Sequence, residues 1–392
     1  MSPTPLSQLA EVIMGTAPSS DTYNSDGRGL PLIAGAGDYG ERYPQPKKWT
    51  TSPTAVAKPG DIIICVRATI GDLNWADREY CLGRGVAALR TNNHLTTVEY
   101  LSHAMEHVKP ELVARGTGST FLAVRRGDIE TLLIPVPFSD NPAKSLVEQQ
   151  RIAAILDKAD GICRKRQEVG RSADALAPSL FREMFDKWLR MPASEMPKLG
   201  DPTMASIASG VTKGRKFNGQ PTVIVPYIRV ANVQDGFLDL SEIKTIEALP
   251  SDVESLRLQH GDVLMTEGGD FDKLGRGAMW EADIPDCIHQ NHVFRVRCNR
   301  QNLLPLYLAS YIRTSIARAY FLRCAKKTSN LASINMTQLK ATPVACPPIA
   351  LQQEFCAEVE KIRQMQDQQE AFTREAGSLF NSLVQRAFKG EL

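Results

Sequence analysis

The sequence lacks the features that mark several large classes of protein. No apolar run reaches the roughly 18 residues that a membrane-spanning helix needs, and no basic segment followed by an apolar one begins the chain, so neither a membrane span nor a signal peptide is expected. The formal net charge is only +2, so affinity for nucleic acid must come from local basic patches. The eight cysteines include no C-x-x-C pair, which predicts reduced thiols in a cytoplasmic protein.

Motifs for the commonest nucleotide and cofactor chemistry are also missing. The chain has no G-x-x-x-x-G-K-[ST] loop for nucleotide hydrolysis, and no N/D-P-P-Y/F tetrapeptide of the kind that an amino-methyltransferase uses. Residues 35–40 spell G-x-G-x-x-G, but Pro44 and Pro46 follow where a dinucleotide or S-adenosylmethionine site needs a helix to begin. We therefore expect a recognition loop there, no catalytic residue and no cofactor bound by this chain.

Histidine and aspartate spacings do not predict a metal or nuclease site. His103 and His107 are four residues apart on a predicted helix, but no third ligand stands at metalloprotease spacing, so they are expected to be surface or core residues. His289 and His292 lie at a predicted strand edge and are expected to be polar surface residues. Asp61, like Asp262 in the second half, stands beside glycine before a strand and is predicted to form a turn.

What the sequence does contain is an ordered repeat of about 200 residues. In the first half, a helix-like segment over 6–20 is followed by predicted strands at 61–64 and 85–90, a helix over 98–112 and a strand at 132–136. Segments with the same order recur in the second half. The fold predicted for each half is α+β, and the organisation is a domain over 1–145, a helix over 146–188, a linker over 189–198, a domain over 199–348 and a helix over 349–392.

Both predicted long helices carry an apolar seam with alternating steps of three and four residues, which is typical of a coiled coil. We expect the two seams to be buried against each other, antiparallel and within one chain, with pairing between two chains as the alternative. From the shared QQ to the shared SLF the first helix is four residues longer, and Pro178 is expected to kink it. The predicted seam residues are Ile152, Ile155, Leu156, Ile162, Val169, Leu176, Leu180, Phe181, Phe355, Val359, Ile362, Phe372, Leu379, Phe380 and Leu383.

The doubled motifs resemble those of the specificity subunit of type I restriction-modification systems. The motifs in question are Pro59–Ile63, Ile134–Pro137, Glu148–Ile152 and Ser179–Phe181 in the first half, with Gly261–Leu264, Pro347–Pro348, Gln352–Phe355 and Ser378–Phe380 in the second. The resemblance implies two target recognition domains that each read half of a bipartite DNA sequence. It also implies paired helices that set the spacing and dock two methyltransferase subunits, to which restriction-translocase subunits can be added. S-adenosylmethionine, ATP and Mg²⁺ are then expected only in those partners.

Polar, glycine-rich loops are where contacts to DNA are expected, because phosphates need cations and base edges need hydrogen-bonding side chains. The loops of the two halves differ in sequence, which predicts two unlike half-sites and a non-palindromic target. The candidate DNA-binding residues are Tyr39, Lys47, Lys48, Arg67, Thr69, Arg84, Ser119 and Thr120 in the first half, and Lys213, Arg215, Lys216, Arg229, Asn232, Lys273, Arg276, Lys326, Lys327, Ser329 and Asn330 in the second.

Two other functional classes stay open on the sequence alone. The chain would be an enzyme if it methylated or cut DNA by itself, although the motifs for those reactions are missing. It would be a coiled-coil interaction scaffold if it had no role on DNA.

Overall fold

A computed structural model of the chain describes residues 1–118, 122–269, 274–282, 284–327 and 332–392. These residues form two compact units. The first comprises Met1–Glu168 with Glu370–Leu392, and the second comprises Val169–Gln369. The predicted domains are therefore each extended by pieces of both long helices. Within the described ranges, no helix is long and apolar enough to cross a membrane.

The first unit is a mixed α and β structure. Its helices are Leu6–Leu9 (α1), Val98–Ala114 (α2) and Arg126–Glu130 (α3). Its strands are Ser2–Pro5 (β1), Ala10–Met14 (β2), Tyr23–Asn24 (β3), Leu30–Ile33 (β4), Lys48–Thr50 (β5), Val56–Ala57 (β6), Ile62–Cys65 (β7), Leu73–Trp75 (β8), Tyr80–Leu82 (β9), Val86–Thr91 (β10) and Leu133–Val136 (β11). Two long-helix segments, Pro142–Ala173 (α4) and Leu176–Leu189 (α5), follow in the chain.

The second unit has the same mixed composition. Its strands are Ala205–Ser209 (β12), Val223–Ile228 (β13), Lys244–Ala248 (β14), Val263–Thr266 (β15), Gly268–Gly269 (β16), Gly277–Met279 (β17), Ile288–His289 (β18), Val293–Cys298 (β19), Lys326–Lys327 (β20) and Ala332–Ser333 (β21). Its helices are Pro250–Leu256 (α6), Pro305–Tyr311 (α7), Ser315–Cys324 (α8) and Met336–Lys340 (α9), and Ile349–Lys389 (α10) closes the chain.

The predicted repeat is confirmed by sheet topology. The central sheet of the first unit has the order β2-β10-β7-β8, and that of the second has the order β12-β19-β15-β17, both with antiparallel neighbours. A second sheet in each unit contains one parallel pair, β4 with β9 and β13 with β18. The two halves therefore share the topology of the central sheet and of this parallel pair in spite of their low sequence similarity.

Each of the repeated Gly-Asp turns holds a buried aspartate that is paired with a partly exposed arginine. Asp61 is 3% exposed, accepts a hydrogen bond from the Lys58 amide at 2.8 Å, and receives the Arg90 guanidinium at 2.8 and 3.1 Å. Hydrogen bonding to this carboxylate raises the pKa of Arg90. In the second unit Asp262 receives Arg297 at two distances of 2.7 Å. The interpretation of both aspartates as turn-forming residues is confirmed, and each also fixes a strand to its sheet.

The helical expectation for residues 6–20 is wrong over most of its length. Only α1 is helical, and Ala10–Met14 is strand β2, which pairs along its whole length with β10. Val12 is buried while the neighbouring Glu11 is exposed, so the segment alternates as a half-buried strand does. Pairing with a central strand outweighed the local helical pattern.

The long helices begin and end near their predicted positions, but the break in the first precedes Pro178. Helix α4 ends at Ala173, two turn residues follow, and α5 begins at Leu176. Pro178 therefore lies in the first turn of α5, where a missing N–H needs no helical partner. Helix α10 is continuous through Gly377.

A buried glutamine near the start of each long helix attaches that helix to a domain. Gln149 is fully buried and its amide donates to the Leu95 carbonyl at 2.9 Å, while its carbonyl accepts from the Thr97 amide at 3.2 Å. Gln352, also fully buried, accepts from the Leu304 amide at 2.9 Å. Thr97 and Leu304 are the N-caps of α2 and α7, so the two glutamines perform the same task in the two units.

A buried phenylalanine near the end of each long helix provides a second attachment. Phe388 packs edge-on against Tyr100 in the first unit, and Phe185 packs in the same manner against Tyr307 in the second. The offset from Phe185 to Phe388 is 203 residues, the same as from Gln149 to Gln352. The core-facing positions of α5 recur at that offset in α10 and just beyond its end. Ala177, Leu180, Phe181, Met184, Phe185 and Leu189 correspond to Phe380, Leu383, Val384, Ala387, Phe388 and, after the helix, Leu392.

This constant offset overturns the expected difference in helix length. The SLF motifs are not structural equivalents, because Phe181 corresponds to Val384 and Phe380 to Ala177. In both long helices the glutamine and the phenylalanine are 36 positions apart. The two turn residues between α4 and α5 occupy positions that are helical in α10, so the break adds no length.

The predicted apolar seam is buried only towards the ends of the helices. Ile152, Leu156, Phe181, Phe355 and Val359 are buried, and Ile155, Leu180, Ile362, Phe380 and Leu383 are half-buried. The expectation of a continuous buried seam is wrong for Ile162, Val169, Leu176, Phe372 and Leu379, which are 47–60% exposed.

In this middle part of the helices, polar and charged side chains contact residues of the other long helix. In the first unit the Arg166 guanidinium lies 5.5 Å from the centre of the Phe372 ring, and in the second the Gln366 amide donates to Asp174 at 3.2 Å. The ends are buried because they pack on a domain core, which the middle does not reach.

Candidate nucleic-acid interface

The first unit presents a tight turn at Gly83–Val86, between β9 and β10. The Val86 amide donates to the Gly83 carbonyl at 3.2 Å, and the Gly83 amide donates to Ile33 of β4 at 2.8 Å. The Gly85 carbonyl accepts from the Val66 amide at 2.9 Å. Backbone bonds to β4 and to Val66, the residue after β7, therefore hold this turn.

The second unit has the same turn at Gln290–Val293, between β18 and β19. The Val293 amide donates to Gln290 at 2.9 Å, the Gln290 amide donates to Ile228 at 2.9 Å, and the His292 carbonyl accepts from the Glu267 amide at 3.0 Å. Each bond has its counterpart in the first turn, so Gln290, Asn291 and His292 stand where Gly83, Arg84 and Gly85 stand.

Close packing against a glycine restrains both turns. A Cβ atom on Gly15 would lie 2.1 Å from the Gly83 carbonyl oxygen, and one on Gly210 would lie 1.8 Å from the His289 carbonyl oxygen. Only glycine permits this approach of two backbones. The residues that follow each glycine, Thr16 and Val211, continue the contact through backbone hydrogen bonds of 2.9 Å to the strand before the turn.

Three of the predicted DNA-binding residues meet around the first turn. Arg67, Thr69 and Arg84 line a cleft of about 600 Å³, which also includes the Gly35–Gly37 segment. That segment forms a short 3-10 helix over Ala36–Asp38 and no α-helix begins there, which confirms the interpretation of the G-x-G-x-x-G sequence as a loop. Arg67 and Arg84 are exposed, and neither has a hydrogen-bond or ion-pair partner within the residues that the structure describes.

The predicted lysine pair of the first half lies outside this cleft. Lys47 and Lys48 are exposed at and before β5, and neither lines the cleft. The predicted residues Ser119 and Thr120 lie outside the described residues.

In the second unit a basic loop begins beside the turn. The Val211 carbonyl accepts from the Asn291 amide at 2.9 Å, and exposed Lys213 and Lys216 follow in the chain. Arg215 between them forms an ion pair with Asp252 at 3.0 Å. Lys326 is exposed on β20; the side chain of Lys327 and the residues Lys273, Ser329 and Asn330 lie outside the description.

Two further predicted DNA contacts, Asn232 and Arg229, have internal partners. Asn232 is 3% exposed and bonds to the Arg229 amide and to the carbonyls of Asp239 and Glu242, so it closes its own loop. Arg229 is paired with Glu242 at 2.9 Å. These residues are corrected from DNA contacts to loop-forming residues.

Tyr39 and Arg276 are corrected for related reasons. Tyr39 packs on a core cluster with a buried hydroxyl, and burial raises its pKa far above the ordinary tyrosine value. The Arg276 guanidinium donates to Gln234 at 2.9 Å, and its Nε is buried.

The histidines fall into distinct environments. His289, expected at the surface, is fully buried, and burial lowers its pKa to about 4. His292 is exposed as expected and pairs with Glu267. His103 contacts Asp157 at 2.8 Å, and His107 stacks on Phe388 with the ring centres 4.8 Å apart. Among the described residues there is no group of three or more side chains arranged to hold a metal.

Sequence reasoning missed Asn291 and the Glu267–His292 pair. Asn291 is half-buried at the second turn, and its amide nitrogen lies 3.3 Å from His292 Nε2. The aligned segments GRGVAALRT and QNHVFRVRC contain the signal, because they put Asn291 opposite Arg84. Glu267 had no such signal, since its contact with His292 depends on the pairing of two strands.

Sequence comparisons identify a family and relatives that match part of the chain. Residues 2–169 match the family described as the type I restriction modification DNA specificity domain. Over 159 residues the chain is 35% identical to the putative type I restriction enzyme MjaX specificity subunit of Methanocaldococcus jannaschii, covering 40% of this chain and 36% of that protein. Over 173 residues it is 28% identical to the type I restriction enzyme EcoKI specificity subunit of Escherichia coli K12, covering 43% and 37%. The matched stretch thus spans little more than a third of either relative.

Solved structures extend the likeness of fold to the whole chain. One match is a chain from a structural study of complex assembly and conformational transition in the type I R-M system. It has a TM-score of 0.63 at 16% identity, and the match covers 100% of this chain and 98% of that one. The type I S subunit from M. genitalium has a TM-score of 0.50 at 15% identity, covering 99% and 96%. The fold and the matched domain are those of type I restriction-modification specificity proteins. Residues 2–169 are thus similar in sequence to the type I specificity domain, and the fold of the whole chain is similar to that of a solved type I S subunit.

Proposed function

We propose that the chain is the non-catalytic DNA-recognition subunit of a type I restriction-modification complex, in which each unit reads one half of a bipartite, asymmetric target. The observation that carries the proposal is one tight turn, built twice on the same topology, that presents different side chains. Arg84 stands at the first turn and Asn291 at the equivalent position of the second. Identical scaffolds with unlike polar tips suit the reading of two unlike short sequences.

The long helices are proposed to set the distance between the two half-sites. Their attachment points, glutamine and phenylalanine, are 36 residues apart in both. Thirty-six residues of α-helix rise about 54 Å, or about ten turns. Two helices of equal length, running antiparallel as a coiled coil under a pseudo-two-fold, would hold two domains at a fixed separation, because a change in one length alone would strain the other.

The exposed middle of the helices is the proposed docking surface for two methyltransferase subunits. In the first unit the apolar side chains of Phe372 and Leu379 are at least half exposed, and large exposed apolar side chains often mark an interface. S-adenosylmethionine would be bound by those partners, and ATP with Mg²⁺ by restriction-translocase subunits where they join.

A selection experiment tests the proposal. The chain, assembled with the methyltransferase subunits of its system, is used to select from a random DNA library at fixed salt. The expected result is enrichment of one asymmetric sequence in two parts, separated by a spacer of fixed length and no preferred composition. Enrichment of a single continuous site, or of nothing, would contradict the proposal, and so would methylation or cleavage of DNA by the purified chain alone.

Exchange of the first domain gives the matched control. Replacing residues 3–136 by the corresponding domain of another family member should change one half-site and leave the other half-site and the spacer unchanged. A change in both half-sites would mean that the units do not read DNA separately.

A further inference from the structure

The two equivalent turns differ at their tips in a manner that points to different bases. Position 84 is an arginine flanked by Gly83 and Gly85, and a Cβ atom on Gly85 would lie 2.2 Å from the Ala34 carbonyl oxygen, so the glycines let the turn pack closely on that backbone while Arg84 stays exposed. Position 291 is an asparagine flanked by Gln290 and His292. The backbone bonds around both positions are the same, so the side chain is what distinguishes the two tips.

Arg84 has the chemistry and the freedom for a contact to guanine. It is exposed, and it has no hydrogen-bond or ion-pair partner among the residues described. By contrast, Arg90 in the same unit is committed to Asp61 and Arg115 to Glu111. A guanidinium group donates two parallel hydrogen bonds to the O6 and N7 acceptors of guanine, which no other base offers in the major groove.

The surroundings of Asn291 favour a base edge over a phosphate. His292 Nε2 lies 3.3 Å from the Asn291 amide nitrogen, and the other ring nitrogen of His292 contacts the Glu267 carboxylate at 2.5 Å. This chain of contacts fixes the asparagine side chain, and the carboxylate repels a phosphate. A fixed asparagine amide matches the N6 donor and N7 acceptor of adenine.

We propose that Arg84 and Asn291 are the specificity-determining residues of the two turns, with Arg84 reading a guanine in one half-site and Asn291 reading an adenine in the other. This inference rests on the proposed function, because it assumes that each unit reads DNA. It goes further by assigning a base to a residue in each half-site.

The test uses the chain assembled with its methyltransferase subunits and a library of duplexes that vary one base pair at a time around the selected target. The Arg84→Asn variant should bind the original target about 5- to 150-fold more weakly and lose its preference for guanine at one position of one half-site. The Asn291→Ala variant should bind the original target more weakly by a similar factor and lose its preference for adenine at one position of the other half-site. The spacer should stay constant in both.

Arg126→Asn is the matched control, since Arg126 is exposed and paired with Glu130 away from the cleft. It should leave affinity and base preference unchanged, and thermal unfolding should be unchanged for all three variants because the turns are held by backbone bonds. If Arg84→Asn weakens binding evenly for every sequence, the residue contacts phosphate and the proposal is wrong for it. If the unsubstituted chain selects no bipartite target, the proposed function fails and the base assignment fails with it.

Discussion

Replacing Gln149 by leucine should loosen the attachment of the first long helix to its domain. The buried amide makes four hydrogen bonds: to the Leu95 carbonyl and the Ser145 hydroxyl as donor, and from the Thr96 hydroxyl and the Thr97 amide as acceptor. The hydroxyl groups can rotate towards other partners. The Thr97 amide and the Leu95 carbonyl cannot, so each of these groups, which belong to half-buried residues, would lose its partner.

A backbone group left without a partner costs about 1–3 kcal/mol, so the loss of both partners should lower the free energy of unfolding of the first unit by about 2–6 kcal/mol. Hydrogen exchange of the complete chain, followed by mass spectrometry, measures this locally. Amides in the first turn of α2, from Thr97 to Leu101, should exchange faster by a factor that corresponds to the lost stability.

The neighbouring residue provides the control. Gln150 is exposed, so Gln150→Leu should leave exchange in α2 within the range of ordinary surface substitutions, about 0.5 kcal/mol. Gln352→Leu should reproduce the effect in the second unit, at α7. Equal effects of Gln149→Leu and Gln150→Leu would refute the claim that the buried amide attaches the helix.

Two further predictions concern the cores of the units. Since burial holds the pKa of His289 near 4, the unfolded chain binds a proton below about pH 6.5 that the folded one does not, and the second unit should lose about 3 kcal/mol between pH 6.5 and 4. His289→Leu introduces the residue that stands at the equivalent position of the first unit, Leu82. In urea unfolding measured at several pH values, this variant should lose less stability between pH 6.5 and 4 than the unsubstituted chain. An equal loss would mean that other groups cause the pH dependence. Phe388→Ala should destabilise the first unit by about 3–5 kcal/mol in hydrogen exchange, because Phe388 is buried, whereas Leu379→Ala, at a 60% exposed position, should have little effect. Comparable losses for these two would contradict the assigned attachment.

Local patterns in the sequence predicted the features that depend on neighbouring residues. The Gly-Asp turns, the helix of residues 98–112 and both long helices follow from turn chemistry and hydrophobic spacing, and the repeat follows from their order. The seam failed in its middle, at Ile162 and Val169, because spacing shows which residues share a helix face but not how far the partner core extends.

The DNA-binding candidates show the same limit. Asn232 has the composition of a free recognition residue, but carbonyl groups of Asp239 and Glu242 satisfy its amide, and a sequence does not place those groups. His289 is buried because Gly210 lets another backbone pack closely against it, which composition does not reveal either. Arg67, Thr69 and Arg84 could be selected as polar loop residues, while their common cleft required the fold.

The central claim, that equal helices hold two DNA-reading units at a fixed distance, is tested by lengthening both helices together. Four helix-forming residues are inserted after Glu168 and four after the equivalent Ala371, which adds about 6 Å to each helix. Target selection with the assembled complex should then give a spacer longer by one or two base pairs, with both half-sites unchanged. An unchanged spacer, or an altered half-site beside a constant spacer, would contradict the account.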